Sequence, residues 1–298
     1  VQRIDHRELT AAAAAGPAGE VGRRRLRQRL AGLAGNPVVA VDGERPEQLA
    51  ALGAAIRQLS AAATVEAGGR RRRFLCQSAA SLLNGLADLP ASFPQPARLA
   101  RLRRRRGVPL PGLVLVGSHV PLADAQLERL LADPGCGGVE LEVSKLERIL
   151  DGPLGGPLLA SLERAWRRRL DAVIGAGRTP VFFTSRGERP CRSAAERRAL
   201  GLALAGTMAR VAAALAPRLG YLISKGGITS HTLLAEGLEL AAVDLRGQLL
   251  PGLSLVVPLE GRGPLAGLPL LTFPGNLGEA GTLHQAWRWM ERGEAPPP

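Results

Sequence analysis

Lysine is almost missing from this chain. Of 39 basic residues only Lys145 and Lys225 are lysines, and the remaining 37 are arginines. Aromatic residues make up 3% of the sequence, with a single tyrosine, and methionine occurs twice. Three cysteines (Cys76, Cys136, Cys191) form no close pair, which argues against a disulfide framework and for a reducing compartment. Neither Cys-x-x-Cys nor His-Glu-x-x-His occurs, and His6, His119, His231 and His284 are widely scattered, so no metal site is expected. No apolar run reaches the ~18–20 residues of a bilayer span. The opening VQRIDHRELTAAAAAGPAGEVGRRR lacks the apolar core and small-residue cleavage site of a secretory signal. The expectation is a cytoplasmic protein without a membrane partner.

The shortage of aromatics bears on the formal net charge of +13. The basic clusters RRRLRQR (23–29), GRRRRF (69–74) and RLRRRR (101–106) contain one phenylalanine between them. Single-strand binders interleave aromatics on which bases stack, and no helix-turn-helix, zinc-finger or RNA-sheet signature accompanies these clusters. Wholesale use of arginine, together with abundant alanine, glycine, leucine and proline, is the mark of a genome rich in G and C. A solvated arginine-rich surface is expected, not a nucleic-acid partner. Against that bias a retained lysine is either an accident of composition or a place where a compact ammonium fits and a guanidinium fork does not.

With 46% hydrophobic residues over 298 positions, the chain can bury one large core or two modest ones. Helical patterns are expected over 19–33, 45–62 (Leu49, Leu52, Ile56 and Leu59 on one face) and 74–89, with a short buried strand over 36–43. The proline- and arginine-rich stretch 90–111 reads as a linker. Beyond it strands and helices alternate: strands at 112–118, 137–143, 179–188, 219–223, 238–245, 253–259 and 268–276, helices at 121–133, 158–177, 193–216 and 279–292. Such alternation indicates an α/β fold with a largely parallel sheet flanked by helices.

Four of these strands end in small or glycine-rich turns: VGSH, FTSRGE, SKGGITS and FPGNLG. One such turn is ordinary βα chemistry. Four on one sheet edge suggest a ligand, because ligands sit beyond the carboxyl ends of parallel strands. Glycines admit an anion to backbone amides, and a following helix adds its dipole. A phosphate-bearing ligand suits these loops, with His119 and His231 able to line the site and His6 and His284 expected at the surface. The order of lysine and glycines in SKGG is not that of a P-loop, and no Gly-x-Gly-x-x-Gly is present. Ser118 in VGSHV falls short of a Gly-x-Ser-x-Gly nucleophile elbow.

In order along the chain, LVLVGSHVPLADAQLERLL, VFFTSRGE, YLISKGGITSHTLLAEGLEL, GQLLPGLSLV and LPLLTFPGNLGEAGTL resemble successive motifs of the four-carbon acid sugar kinase family. The resemblance implies an ATP- and Mg²⁺-dependent kinase, a phosphotransferase with an alcohol acceptor that phosphorylates tetronates or oxo-tetronates. It implies that 111–298 is the nucleotide-binding domain. Residues 1–110 would be the end of the acid-sugar-binding domain plus linker, an incomplete α/β lobe. The family's Asp-Asp-x-Thr-Gly-Ala loop does not occur in the sequence, so a truncated chain is expected. By the same resemblance Ser118 contacts the nucleotide, Gly226, Gly227, Ile228 and Thr229 form the phosphate-facing turn, and Gly275 closes from the other side, with Asn276 beside it. Lys225 would lie near the phosphates as a point charge, and Thr229 or Ser230 would cap the next helix while reaching a phosphate. The motifs assign no catalytic base. A homodimer is compatible with this reading. The competing readings are a non-catalytic ATP-binding module and, further off, a basic nucleic-acid-associated protein.

Overall fold

The computed structural model describes all residues except 62–68, 70, 79–80, 88–95, 106–107, 151, 153–154, 188–190, 260–264 and 294–298. The chain divides into two compact units, Val1–Ala91 and Ser92–Pro298.

In the first unit, strands β1 (Gln2–Ile4) and β2 (Val39–Val41) pair in parallel beside helices α1 (His6–Ala13), α2 (Gly16–Ala31), α3 (Pro46–Ala61) and α4 (Ser81–Ala87). Asp5 starts α1 with a full capping box: its carboxylate accepts from the Arg7 and Glu8 amides, and Glu8 reaches back to the Asp5 amide. Leu9, Leu26, Leu30, Leu52, Ile56 and Leu59 form the core under β1. The strand expected to be buried at 36–43 is only half-covered, because β2 has one partner strand. The helix expected from 74 begins at Ser81; residues 74–78 have no regular structure.

The second unit starts earlier than the linker reading allowed. Helix α5 (Pro96–Leu102) and the small hairpin of β3 (Arg104–Arg105) and β4 (Val108–Pro109) occupy the proline- and arginine-rich stretch. Leu99 is buried, and the Arg103 guanidinium is paired with Glu291 at 2.5 Å, so at least one residue of the basic cluster serves the core. Then follow β5 (Gly112–Val116), α6 (Pro121–Leu131), β6 (Cys136–Leu141), α7 (Val143–Leu150), α8 (Gly155–Gly175), β7 (Thr179–Thr184), α9 (Ala194–Leu215), β8 (Tyr221–Lys225), α10 (Gly227–Thr232), β9 (Val243–Leu250), β10 (Leu253–Pro258), β11 (Leu270–Phe273) and α11 (Thr282–Arg292). The strand expected at 238–245 is displaced to 243–250, behind a π-helical turn at Leu233–Gly237.

These strands build one seven-stranded sheet in the order β6-β7-β5-β8-β11-β10-β9. The first five run parallel, and β10 and β9 are antiparallel additions at one edge. Alternation along the strands sends residues to two separate cores. Leu113, Leu115, Phe182 and Leu222 pack with Trp166 and Leu170 of α8 and Met208 and Leu215 of α9. Val114, Val116, Val181 and Ile223 pack on the opposite face with Leu127 and Leu130 of α6 and Leu283 and Trp287 of α11. By length and apolarity α9 could cross a bilayer; nine of its twelve residues from Leu204 to Leu215 are buried in the protein, which accounts for its composition.

His284, expected at the surface, is instead half-buried on α11 and bonds Asp133 at 2.8 Å. Burial would raise the Asp133 carboxyl, but the His284 ring, the Gly135 amide and Arg292 together hold it below its usual range.

Candidate functional site

The turns after β7, β5, β8 and β11 leave the carboxyl ends of four adjacent parallel strands and therefore share one edge of the sheet. From β5 the chain crosses through α6 to β6, on one side. From β8 it continues through α10 to the strands on the other side. Helix α6 packs with α11 on one face of the sheet, whereas α10 packs with α9 on the opposite face. Strands β5 and β8 thus flank the topological switch point, where diverging helices leave a crevice.

The loops at this crevice meet closely. The Gly117 amide donates to the Lys225 carbonyl at 3.1 Å, and the Gly226 amide donates to that of Phe273 at 2.9 Å. A methyl group on Gly275 would stand 2.5 Å from Ser118 Oγ, and one on Gly117 would stand 2.2 Å from Thr229 Oγ1. Gly226 has φ 121 and ψ 134, a backbone state that side-chain-bearing residues rarely adopt. The tertiary structure therefore brings Ser118, Gly226, Thr229 and Gly275 into one cluster. Gly227 and Ile228 are exposed at the start of α10, where no side chain caps the first turn, and Asn276 is exposed next to Gly275. His231 is exposed farther along α10.

Two residues face elsewhere. Ser230 is buried, and its hydroxyl donates to the Ser224 carbonyl at 2.9 Å and contacts Ser224 Oγ at 3.0 Å. The Lys225 side chain has no exposed surface: its ammonium donates to the carbonyls of Pro274 and Gly275 at 3.0 and 3.2 Å and lies 4.0 Å from the centre of the Phe273 ring. The lysine pins the Gly275 loop from beneath. Its slim stem runs through a fully packed site, where an arginine fork would have to displace neighbours.

Burial pushes the Lys225 amine down to about 8 from 10.5. A folded-state value below the unfolded one means that the unfolded chain binds more protons between those limits, so this group adds stability as pH rises through them. Comparing wild type with Lys225→Met by chemical denaturation should show the wild type gaining on the variant from pH 8 to pH 10.5. At neutral pH Lys225→Met should lose about 1–3 kcal/mol, the cost of leaving buried carbonyls unpaired. A stability difference that is flat with pH would contradict this assignment.

Arg186, on the turn after β7, was not singled out by sequence, because one arginine among 37 carries no signal. Its guanidinium donates to the Ser118 carbonyl (2.6 Å), the Thr184 carbonyl (2.9 Å), Thr184 Oγ1 (2.8 Å) and the Val116 carbonyl (3.3 Å), and pairs with Asp124 (2.9 Å). It ties the turn after β5 to the turn after β7. His119 Nε2 also contacts Thr184 Oγ1, at 3.2 Å. Burial and the Arg186 charge hold the imidazole below its usual pKa, against the opposing pull of Asp124. Beside these turns, between them and α9, lies a cavity of about 540 Å³ whose lining includes His119, Arg186, Arg197, Leu200 and Leu204. Among the described residues no three His, Cys, Asp or Glu side chains are grouped to hold a metal ion.

Residues 113–283, more than half of the chain, match the family model described as the nucleotide-binding C-terminal domain. The chain belongs to that family. It is the nucleotide-binding domain family of the four-carbon acid sugar kinases. Among solved structures, a Salmonella typhimurium LT2 protein carrying the provisional description tRNA synthase is 16% identical, with a TM-score of 0.54 over 96% of this chain. A Bordetella bronchiseptica domain of unknown function (DUF1537), a domain-swapped dimer with bound citrate, is 20% identical over 97% of this chain with a TM-score of 0.48. The chain spans 59% of the length of each of these two proteins. No curated protein matches the sequence.

Proposed function

We propose that the second unit binds ATP with its phosphates in the crevice between the turns after β5 and β8, and that it serves a kinase acting on four-carbon acid sugars. The carrying observation is the cluster of Ser118, Gly226, Thr229 and Gly275 at the switch point of a nucleotide-binding-family domain. Small residues keep side chains out of the crevice, so phosphate oxygens can approach main-chain amides directly. Ser118 and Thr229 offer hydroxyls at the same place, and Gly227 and Ile228 the uncapped amides of α10. Lys225 acts on the ligand indirectly, by fixing the carbonyls that shape the Gly275 loop.

Mg²⁺ accompanies ATP in this reading and offsets charge on the β and γ phosphates. With no acidic cage among the described residues, the phosphates supply most of its ligands, as is usual for this cation. Asp124 shares the Arg186 guanidinium with the Ser118 carbonyl, which ties a carboxylate to the Ser118 turn. The sugar-acid specificity is proposed from the family alone, with the first unit as part of the acid-sugar lobe. Calorimetric titration of the folded chain with MgATP should give saturable binding. A flat titration at millimolar MgATP would remove the reading.

A further inference from the structure

The cavity beside the crevice lies against the same turn that the phosphates are proposed to use. Gly117 and Ser118 form the crevice side of that turn, while the next residue, His119, lines the cavity. One short loop is therefore a wall of both spaces. The cavity lining is apolar at Val143, Leu200 and Leu204 and polar at His119, Ser144, Ser185, Arg186 and Arg197. No acidic residue is among its described lining. Gly201 of α9 also lines it, and a side chain there would project into open space.

We infer that this cavity holds the nucleoside end of the ligand whose phosphates occupy the crevice. The inference rests on the ATP reading above and deepens it. A purine has two apolar faces and a polar rim, which suits a cavity with an aliphatic wall and a few placed polar groups; this volume is in the usual range for such ligands, ~300–1,000 Å³. A planar guanidinium held by five hydrogen bonds is a fixed surface on which a base can stack. The His119 imidazole, whose ring nitrogen already contacts Thr184 Oγ1, adds a hydrogen-bonding edge. The side of α9 at Gly201, which is half-buried, then faces the ligand and not another protein segment.

Gly201→Phe tests this without attacking the phosphate crevice. The substitution fills the cavity, meets no atom of the protein within 4 Å at its first carbon, and replaces glycine in a helix by a better helix former. Two ligands are titrated into the full chain by calorimetry, MgATP and magnesium tripolyphosphate, with thermal unfolding to verify the fold. Gly201→Phe should bind MgATP about tenfold more weakly or worse, and tripolyphosphate within about twofold of wild type. Unchanged MgATP affinity in the variant overturns the inference and leaves the proposed phosphate site standing. Equal loss of both ligands overturns it too, because the cavity would then not be a separate nucleoside subsite. Failure of wild type to bind either ligand overturns the underlying ATP reading, and this inference with it.

Discussion

Gly226→Ala is expected to destabilise the second unit by about 1–3 kcal/mol and to lower MgATP affinity by tenfold or more. The backbone at this position stands at φ 121, ψ 134, where an L side chain is strained whatever the space around it. Relaxing that strain means rotating the turn between β8 and α10. The turn has little room to rotate, because the new methyl would sit 3.0 Å from Thr229 Oγ1 and 3.3 Å from the Ser118 amide. Either the strain is kept, and stability falls, or the turn moves and carries the uncapped amides of α10 out of register with Ser118. Denaturant unfolding measures the first and calorimetry the second. Gly227→Ala is the internal control for the backbone: its added carbon meets nothing within 4 Å, and no left-handed φ is required. Parent-like stability and affinity in Gly226→Ala would mean that the turn is not a fixed phosphate cradle.

Arg186→Met should lower stability by about 2–3 kcal/mol and weaken MgATP binding, through loss of five hydrogen bonds from a charged donor, one of them to a carboxylate. The side chain is 23% exposed, but its partner Asp124 is 42% exposed, so solvent screens part of the ion pair and the larger loss is the unpaired Ser118 and Thr184 carbonyls. The effect on His119 separates this tie from generic packing. Burial depresses the imidazole and so does the Arg186 charge, whereas Asp124 raises it. Removing the guanidinium leaves Asp124 unopposed, so the His119 pKa should move upward in a proton NMR titration. Arg186→Lys keeps the cation and loses the fork, so the His119 shift should be smaller while loop tethering is still impaired. An imidazole that titrates identically in all three proteins would contradict the charge coupling.

Much of the second unit was legible locally. Apolar runs ending in glycine and serine turns placed β5, β7, β8 and β11 to within a few residues, because strand patterning and turn chemistry are properties of neighbouring residues. The family motifs lay on those same turns, and the matching residues 113–283 bear them out at the level of a nucleotide-binding domain. The misplacements at 74–78 and 238–242 occur where alanine- and leucine-rich sequence fits helix, strand and loop patterns almost equally. The proline- and arginine-rich stretch looked like linker because composition cannot reveal that Leu99 and Arg103 have partners on α11, nearly two hundred residues away.

Sequence alone determined the parts of the proposed site: glycines at strand ends, hydroxyl residues beside them, and one lysine kept against a strong arginine bias. Only the tertiary structure decided that β5 and β8 are neighbours and that their helices leave on opposite faces, which puts a crevice between them. It also turned Lys225 inward onto the Pro274 and Gly275 carbonyls, sent the Ser230 hydroxyl to Ser224, and raised Arg186 from one arginine among many to the tie between two turns. The physical reason is the same in each case. Turn chemistry is fixed by residues a few positions apart, whereas the direction of a buried polar side chain is fixed by which distant carbonyls need a donor once the strands have paired.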